Sequence, residues 1–195
     1  MSDSRPSVVL VRHGETKWSR TGRHTGRTDV GLTAEGEVQV KALRGLLADF
    51  RPALVLSSPR TRALRTAELA GLTPYQVDED LQEWDYGDFE GLTTAEIRRV
   101  VPGWTVWSGP WPGGETAGQV AARADRVVRR VLGEPDGSTV VLVAHGHLLR
   151  VLAARWIGEP ARSGRLLALG TAAVCELGWE HEERVLRRWH LIPET

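Results

Sequence analysis

Val8-Val9-Leu10-Val11-Arg12-His13-Gly14 and Val140-Val141-Leu142-Val143-Ala144-His145-Gly146 are two versions of one pattern. In each, a four-residue aliphatic run leads within one residue to His-Gly. Continuous runs of this length, rich in β-branched side chains, suit strands buried on both faces, as in a parallel sheet covered by helices. Parallel strands all end at one edge of their sheet. Neighbouring strands of this kind therefore deliver His13 and His145 side by side at the carboxyl edge, where open α/β sheets bind ligands. The pattern predicts an α/β fold of three layers, α/β/α, with a mostly parallel central sheet.

The chain between the two runs supplies what such a sheet needs. Residues 12–31 lack periodicity and are rich in Gly, Thr and Arg, with Asp29 near the end, the mark of a long functional loop. Thr33 is placed to cap a helix over residues 33–50, with Val40, Leu43, Leu46 and Leu47 along one face. Pro52 stops it, and residues 53–56 read as a second strand. Ser58-Pro59 has the form of a cap followed by proline at the first helical position, so a helix is predicted to open there and stop at Gly71. A short strand is expected over 75–77 and a loop over 83–91. Thr93-Thr94-Ala95-Glu96 has the spacing of a capping box for a short helix ending before Pro102. Residues 102–114 carry Trp104, Trp107 and Trp111 among Pro and Gly, a loop that is either core cover or a substrate lid. Helices are expected over 116–132 and 147–157, on either side of the 139–144 strand. Residues 172–179 and 184–190 read as a closing hairpin with weak turn chemistry. No repeat or composition break divides this plan, so residues 1–195 read as a single domain.

Composition removes several function classes. Lys plus Arg and Asp plus Glu number 25 each, so no net field draws the chain to nucleic acid or a membrane surface. The basic residues are mostly arginine, whose planar fork matches phosphate. One cysteine, Cys175, leaves no internal disulfide or Cys-based metal cluster, and its neighbours Ala172, Ala173 and Val174 mark it as a buried thiol. Met1-Ser2-Asp3-Ser4-Arg5-Pro6 lacks the apolar core of an export signal, and no run approaches a membrane span, so a cytoplasmic setting is expected. His145-x-His147 and His24 invite a metal reading. A strand-end and a helix-start histidine need not converge, however, and no Asp-rich motif lies nearby; no metal and no cofactor is expected. His147 reads as a helix-start group.

Chemistry is expected at Arg12-His13-Gly14-Glu15-Thr16. An imidazole at a strand end attacks phosphorus through one ring nitrogen when a hydrogen bond at the other fixes the tautomer. Arg12 adds a fork for phosphate oxygens, and Gly14 lets backbone approach without a Cβ. Ser57-Ser58-Pro59-Arg60-Thr61-Arg62 sets an arginine in the first turn of a helix at a strand's carboxyl end, where guanidinium and helix N-terminus both favour an anion. His145 brings another nitrogen donor from the twin strand. Glu83, in Glu83-Trp84-Asp85-Tyr86-Gly87, sits beside aromatic residues expected to favour its protonated form as an acid. Together these make a pocket for one phosphoryl group.

The phrase Val11-Arg12-His13-Gly14-Glu15-Thr16 resembles the signature of the histidine phosphatase superfamily, the clan of cofactor-dependent phosphoglycerate mutases, fructose-2,6-bisphosphatases and many phosphatases. The likeness runs through nearly the whole chain. Ser57-Ser58-Pro59-Arg60-Thr61-Arg62, Glu83…Gly87…Glu90-Gly91, Gly113-Gly114-Glu115 and Ala144-His145-Gly146 all occur in family order. It implies a phosphoglycerate mutase-like fold, His13 as a nucleophile that becomes phosphohistidine, Glu83 as proton donor to the leaving oxygen, and Arg12, Arg62 and His145 as the phosphate clamp. Ser19 stands where most members have Asn, so that contact becomes a hydroxyl or is lost. Thr25 and Gly26, through their backbone amides, and Gly146 complete the expected substrate contacts. Trp18-Ser19, Thr25-Gly26-x-Thr28-Asp29, Glu83-Trp84-x-Tyr86-Gly87 and His145-Gly146-His147 are worded like a subgroup of acid phosphatases and sedoheptulose-bisphosphatase-like phosphatases.

Fold alone does not separate mutases from phosphatases. A mutase of this clan shields its intermediate under an inserted, cation-bearing lid. Residues 83–115 leave no room for one, and Arg98 and Arg99 are the basic residues there. The expectation is a metal-independent phosphatase acting on small phosphate monoesters; a mutase-type phosphotransferase and a catalytically silent binder of a phosphometabolite are the alternatives. Lys17, Arg20, Arg23 and Arg27 either hold a second anionic group of the substrate or form a mobile basic loop. The expected partner is a small phosphorylated metabolite, not nucleic acid or membrane. A homodimer stays open, since the terminal hairpin either covers the sheet or pairs between subunits.

Overall fold

The two valine-rich runs form β1 (Ser7–Arg12) and β4 (Thr139–Ala144), which pair parallel from Ser7↔Thr139 to Arg12↔Ala144. The computed structural model describes residues 5–193, so the stretch read for an export signal lies partly outside the described residues, over 1–4. On the far side of β4 runs β2 (Leu54–Ser57), and beyond it β3 (Gln76–Val77), both parallel. A hairpin of β5 (Val174–Glu180) and β6 (Glu183–Leu191) adds antiparallel strands beside β1, giving the order β3-β2-β4-β1-β5-β6. No glycine eases its tip, where His181 takes φ +51°. Among the described residues no helix is long and apolar enough to cross a membrane.

Alternation along the strands divides the core into two layers. Val8, Leu10, Leu56, Val140 and Leu142 join the cluster that holds α5 (Ala117–Leu132) and α6 (Gly146–Trp156) through Val120, Val127, Leu148 and Leu152. Val9, Val11, Val55, Val141 and Val143 join the cluster of α2 (Ala34–Leu47) and α3 (Thr61–Leu69) through Val40, Leu43, Ala63 and Ala67. Helices on both faces are why these strands are apolar along their length. The three-layer, mostly parallel architecture is the one the sequence predicts.

Three expectations need adjusting. Residues 12–31 are not wholly irregular: α1 (Lys17–Arg20) is closed by a capping box between Thr16 and Ser19. A helix so short carries no apolar stripe, so periodicity misses it. Second, α3 starts at Thr61 with Arg60 as its cap residue, and the carboxylate that takes its first amide is Asp29, from the 12–31 segment, at 3.0 Å, while Ser58 Oγ accepts from His145. Third, of the two readings left open for the tryptophan loop, the packing favours core cover. Trp104 is buried and donates to Pro110 O at 2.9 Å, while Trp111 and Trp107 each lie 5.9 Å from the buried Trp84 ring. The loop follows α4 (Thr94–Val100), whose Thr93–Glu96 capping box forms as read. Cys175 is buried, and burial pushes its thiol up to about 11, as suits a structural thiol.

Candidate active site

Where β1 and β4 end, a cavity of about 260 Å³ opens, with Arg12, His13, Glu83 and Gly146 in its wall. His13 N–H donates to Ala144 O at 3.0 Å, so the parallel register itself carries the ring to the mouth of β4. Its Nδ1 lies 2.8 Å from Gly14 O. A carbonyl only accepts, so Nδ1 holds the proton and Nε2 keeps its lone pair. Burial, then the positive charges of Arg62 and Arg12, holds the ring well below the usual histidine range, so it is neutral at pH 7. Gly14 is required for packing rather than for ligand approach: a Cβ there would stand 2.5 Å from Gly36 O of α2.

His145 lies behind His13, with ring centroids 5.2 Å apart, and has no exposed surface. Arg62 Nε donates to its Nδ1 at 3.1 Å, which leaves the ring proton on Nε2, donating to Ser58 Oγ at 2.7 Å. Both nitrogens thus have protein partners. Burial and the neighbouring Arg62 keep this ring neutral too. Arg62 is fully buried; its Nη1 donates to Thr28 O and its Nη2 to Thr25 O, each at 3.0 Å, so it braces the 25–28 segment as well as His145. Arg12 donates through Nη1 to Leu169 O, and its Nε is buried with no protein partner. Gly146 makes room for it, since a Cβ there would come within 3.1 Å of Arg12 Cζ.

Glu83 is the one carboxylate among the described residues that line the cavity. Backbone amides hold it: Trp84 N at 2.8 Å and Leu148 N at 2.9 Å on Oε1, and His147 N at 3.0 Å on Oε2. The first turn of α6, more than any aromatic ring, therefore fixes its orientation. Ser19 and Thr25 also line the cavity, though Ser19 Oγ is engaged with Thr16 of the capping box. Gly26 is not brought there. Its amide donates to both Glu90 carboxylate oxygens, at 2.9 and 3.0 Å, so the expected phosphate contact is already spent.

His24 and His147, which invite a metal reading in the sequence, and Tyr86 of the Glu83–Gly87 block also line the cavity. His24, buried, is lowered to about 4 by desolvation, and its Nε2 lies 3.2 Å from Thr94 Oγ1. Tyr86 Oη lies 2.6 Å from His147 Nδ1, and burial pushes the phenol well above and the imidazole well below their ordinary ranges. Both imidazoles are therefore uncharged hydrogen-bonding walls at pH 7. Among the described residues no group of three or more His, Cys, Asp or Glu side chains is arranged to hold a metal ion. Arg150, one turn into α6, also faces the cavity. It could have been found from its i,i+4 spacing to Gly146, which puts both on one helix face.

Comparison with known proteins meets this geometry from outside. The chain is 44% identical over 181 residues to an acid phosphatase of Mycobacterium tuberculosis, covering 92% of this chain and 89% of that one. It is 35% identical over 187 residues to a sedoheptulose 1,7-bisphosphatase of Saccharomyces cerevisiae, covering 78% and 68%. A solved structure of a Mycobacterium tuberculosis open reading frame product superposes with a TM-score of 0.93 at 43% identity, over 96% of this chain and 98% of that one. Residues 8–192 match the histidine phosphatase superfamily (branch 1), the span that holds both His-Gly strands and every residue of the cavity. This chain belongs to the histidine phosphatase superfamily.

Proposed function

We propose that this chain is a phosphoric monoester hydrolase that cleaves small phosphate esters through a phosphohistidine on His13, with no metal taking part. One observation supports the reading above the others: a neutral His13, its proton pinned to Gly14 O, presents an unprotonated Nε2 in a cavity that Arg12 also lines. Family membership and the phosphatase names of its relatives support the reaction class. In the first step Nε2 attacks phosphorus, the bond to the ester oxygen breaks, and Glu83 gives that oxygen a proton. In the second, water attacks the phosphohistidine, Glu83 takes its proton, and phosphate leaves with His13 restored. Arg12 meets the phosphoryl oxygens, and Gly146, Ser19 and Thr25 line their path. Arg62 and His145, expected as part of the clamp, do not line the cavity: Arg62 supplies positive charge behind His13, and the neutral His145 supports it. Charge clamping and positioning supply most of the rate.

The test is phosphate release from a panel of phosphate monoesters, by the wild-type protein and by His13→Ala, with and without a chelator. Wild-type turnover that persists in chelator and falls at least about a thousandfold in His13→Ala is expected, as for loss of a covalent nucleophile. Loss in chelator with recovery on adding zinc would contradict it, as would phosphoryl transfer between positions of a phosphoglycerate outrunning phosphate release.

A further inference from the structure

The cavity holds more positive charge than one phosphoryl group needs at its reacting end. Of the arginines lining it, Arg12 sits against Gly146 beside His13, and Arg23 is paired with Glu96 at 3.4 Å. Arg12 and Arg150 both lack a carboxylate partner, and with Arg12 assigned to the reacting phosphoryl it is Arg150 that is left over. Half-buried, it has no carboxylate within salt-bridge distance among the described residues. The nearest candidate on the wall, Glu83, is committed to three backbone amides. Histidines 24 and 147 on the same wall are neutral and add no charge of either sign.

The Arg150 guanidinium is also held in place. Its Nε donates to Gly164 O at 2.9 Å and its Nη2 to Arg165 O at 3.2 Å, and Cζ lies 4.7 Å above the Trp107 ring. Nη1 has no protein partner among the described residues. A guanidinium taken partly out of water without a counter-ion is costly, and one fixed from behind with a free edge is prepared for an anion. Gly146 and Arg150 lie on one face of α6 a turn apart, so this anion belongs beside the reacting phosphoryl rather than on it.

We propose that Arg150 receives a second anionic group, a carboxylate or a further phosphate, on the alcohol part of the substrate. The inference rests on the phosphatase reading and narrows its substrate class to phosphate esters of small anionic alcohols. Trp107 then acts on specificity without touching substrate, by seating the guanidinium.

Three probes decide it: glycerol 3-phosphate, with a neutral alcohol; 3-phosphoglycerate, which adds a carboxylate; and propane-1,3-diol bisphosphate, which adds a phosphate. Wild-type kcat/KM for at least one two-anion ester should exceed that for glycerol 3-phosphate by about tenfold or more, the worth of one charge-assisted bond. Arg150→Gln should collapse that ratio, mainly through KM, and Arg150→Lys should recover part of it. The better of the two anionic arms tells carboxylate from phosphate. A wild-type enzyme with no preference overturns the inference, and so does an Arg150→Gln protein that loses the same factor on all three esters. If none of the esters is turned over, the phosphatase reading itself has failed. Calorimetry on His13→Ala then still separates the two ideas: 3-phosphoglycerate binding about tenfold tighter than glycerol 3-phosphate, with the difference lost on adding Arg150→Gln, supports the second-anion site, and equal binding refutes it.

Discussion

Which nitrogen of His13 reacts is decided one residue away, by the carbonyl of Gly14. With Nδ1 at 2.8 Å from that oxygen the proton has one place to sit, and Nε2 needs no separate base to free its lone pair. The same logic runs through His145, where an arginine that can only donate forces the opposite tautomer, aimed at Ser58. Two imidazoles of near-identical sequence context thus hold their protons on different nitrogens. Desolvation makes both neutral, and the cations around them reinforce the shift. Neutrality suits a nucleophile, while the positive charge needed by phosphate is left to arginine, which burial does not deprotonate at pH 7.

At the level of elements, the catalytic carboxylate proposed at position 83 depends on α5. Arg123 of that helix donates to Asp80 O at 2.8 Å, Gln82 O at 2.9 Å and Glu83 O at 3.4 Å. It also grips Glu115 through two 2.7 Å bonds, and Glu115 in turn accepts from Asp85 N at 3.0 Å. Arg123 is therefore a positioning residue. Arg123→Gln should lower kcat for an alkyl phosphate about tenfold, with a smaller loss for an aryl phosphate whose leaving oxygen needs little protonation. A purely structural role would lower both alike, and a stability cost of about 2 kcal/mol is expected for the charged hydrogen bonds lost from this partly buried pair. Steady-state kinetics on the two esters, beside a denaturation curve, separates these outcomes. None of this was legible beforehand: Arg126, Arg129 and Arg130 look like the same solvated face, and only the fold shows that Arg123 turns under residues 80–83. By contrast, the meeting of His13 and His145 was legible, because a repeated apolar run fixes both strand direction and the residue at its end. Gly26 misled for the opposite reason, since a backbone amide carries no mark in sequence of the carboxylate, Glu90, that occupies it.

Over the whole molecule, the site stores neutral histidines that the unfolded chain would protonate. His24 is lowered to about 4, and His13, His145 and His147 well below the ordinary range. In the unfolded chain each titrates near ~6.5. Below that pH the unfolded state binds protons that the folded state does not, so stability is complete above about pH 6.5 and is lost as pH falls towards the folded values. Each imidazole contributes up to about 1.4 kcal/mol per pH unit through that window. The denaturant midpoint should fall clearly between about pH 7.5 and 5, before most carboxylates titrate, and an unchanged midpoint would show that these rings are not buried neutral. The layered architecture needed none of these details, and the sequence already carried it in the period of its strands and the caps at Thr33 and Thr93. The pairing of Tyr86 with His147 did need them, because an isolated contact between a loop and a helix start has no period to read.

The covalent role of His13 is tested most directly by trapping the enzyme during turnover of p-nitrophenyl phosphate, denaturing it in alkali, and locating the phosphoryl group on its peptides by mass spectrometry. An alkali-stable, acid-labile phosphoryl group on His13 is the predicted result. Steady turnover with His13 unmodified, or with the phosphoryl group carried by another residue, would contradict it.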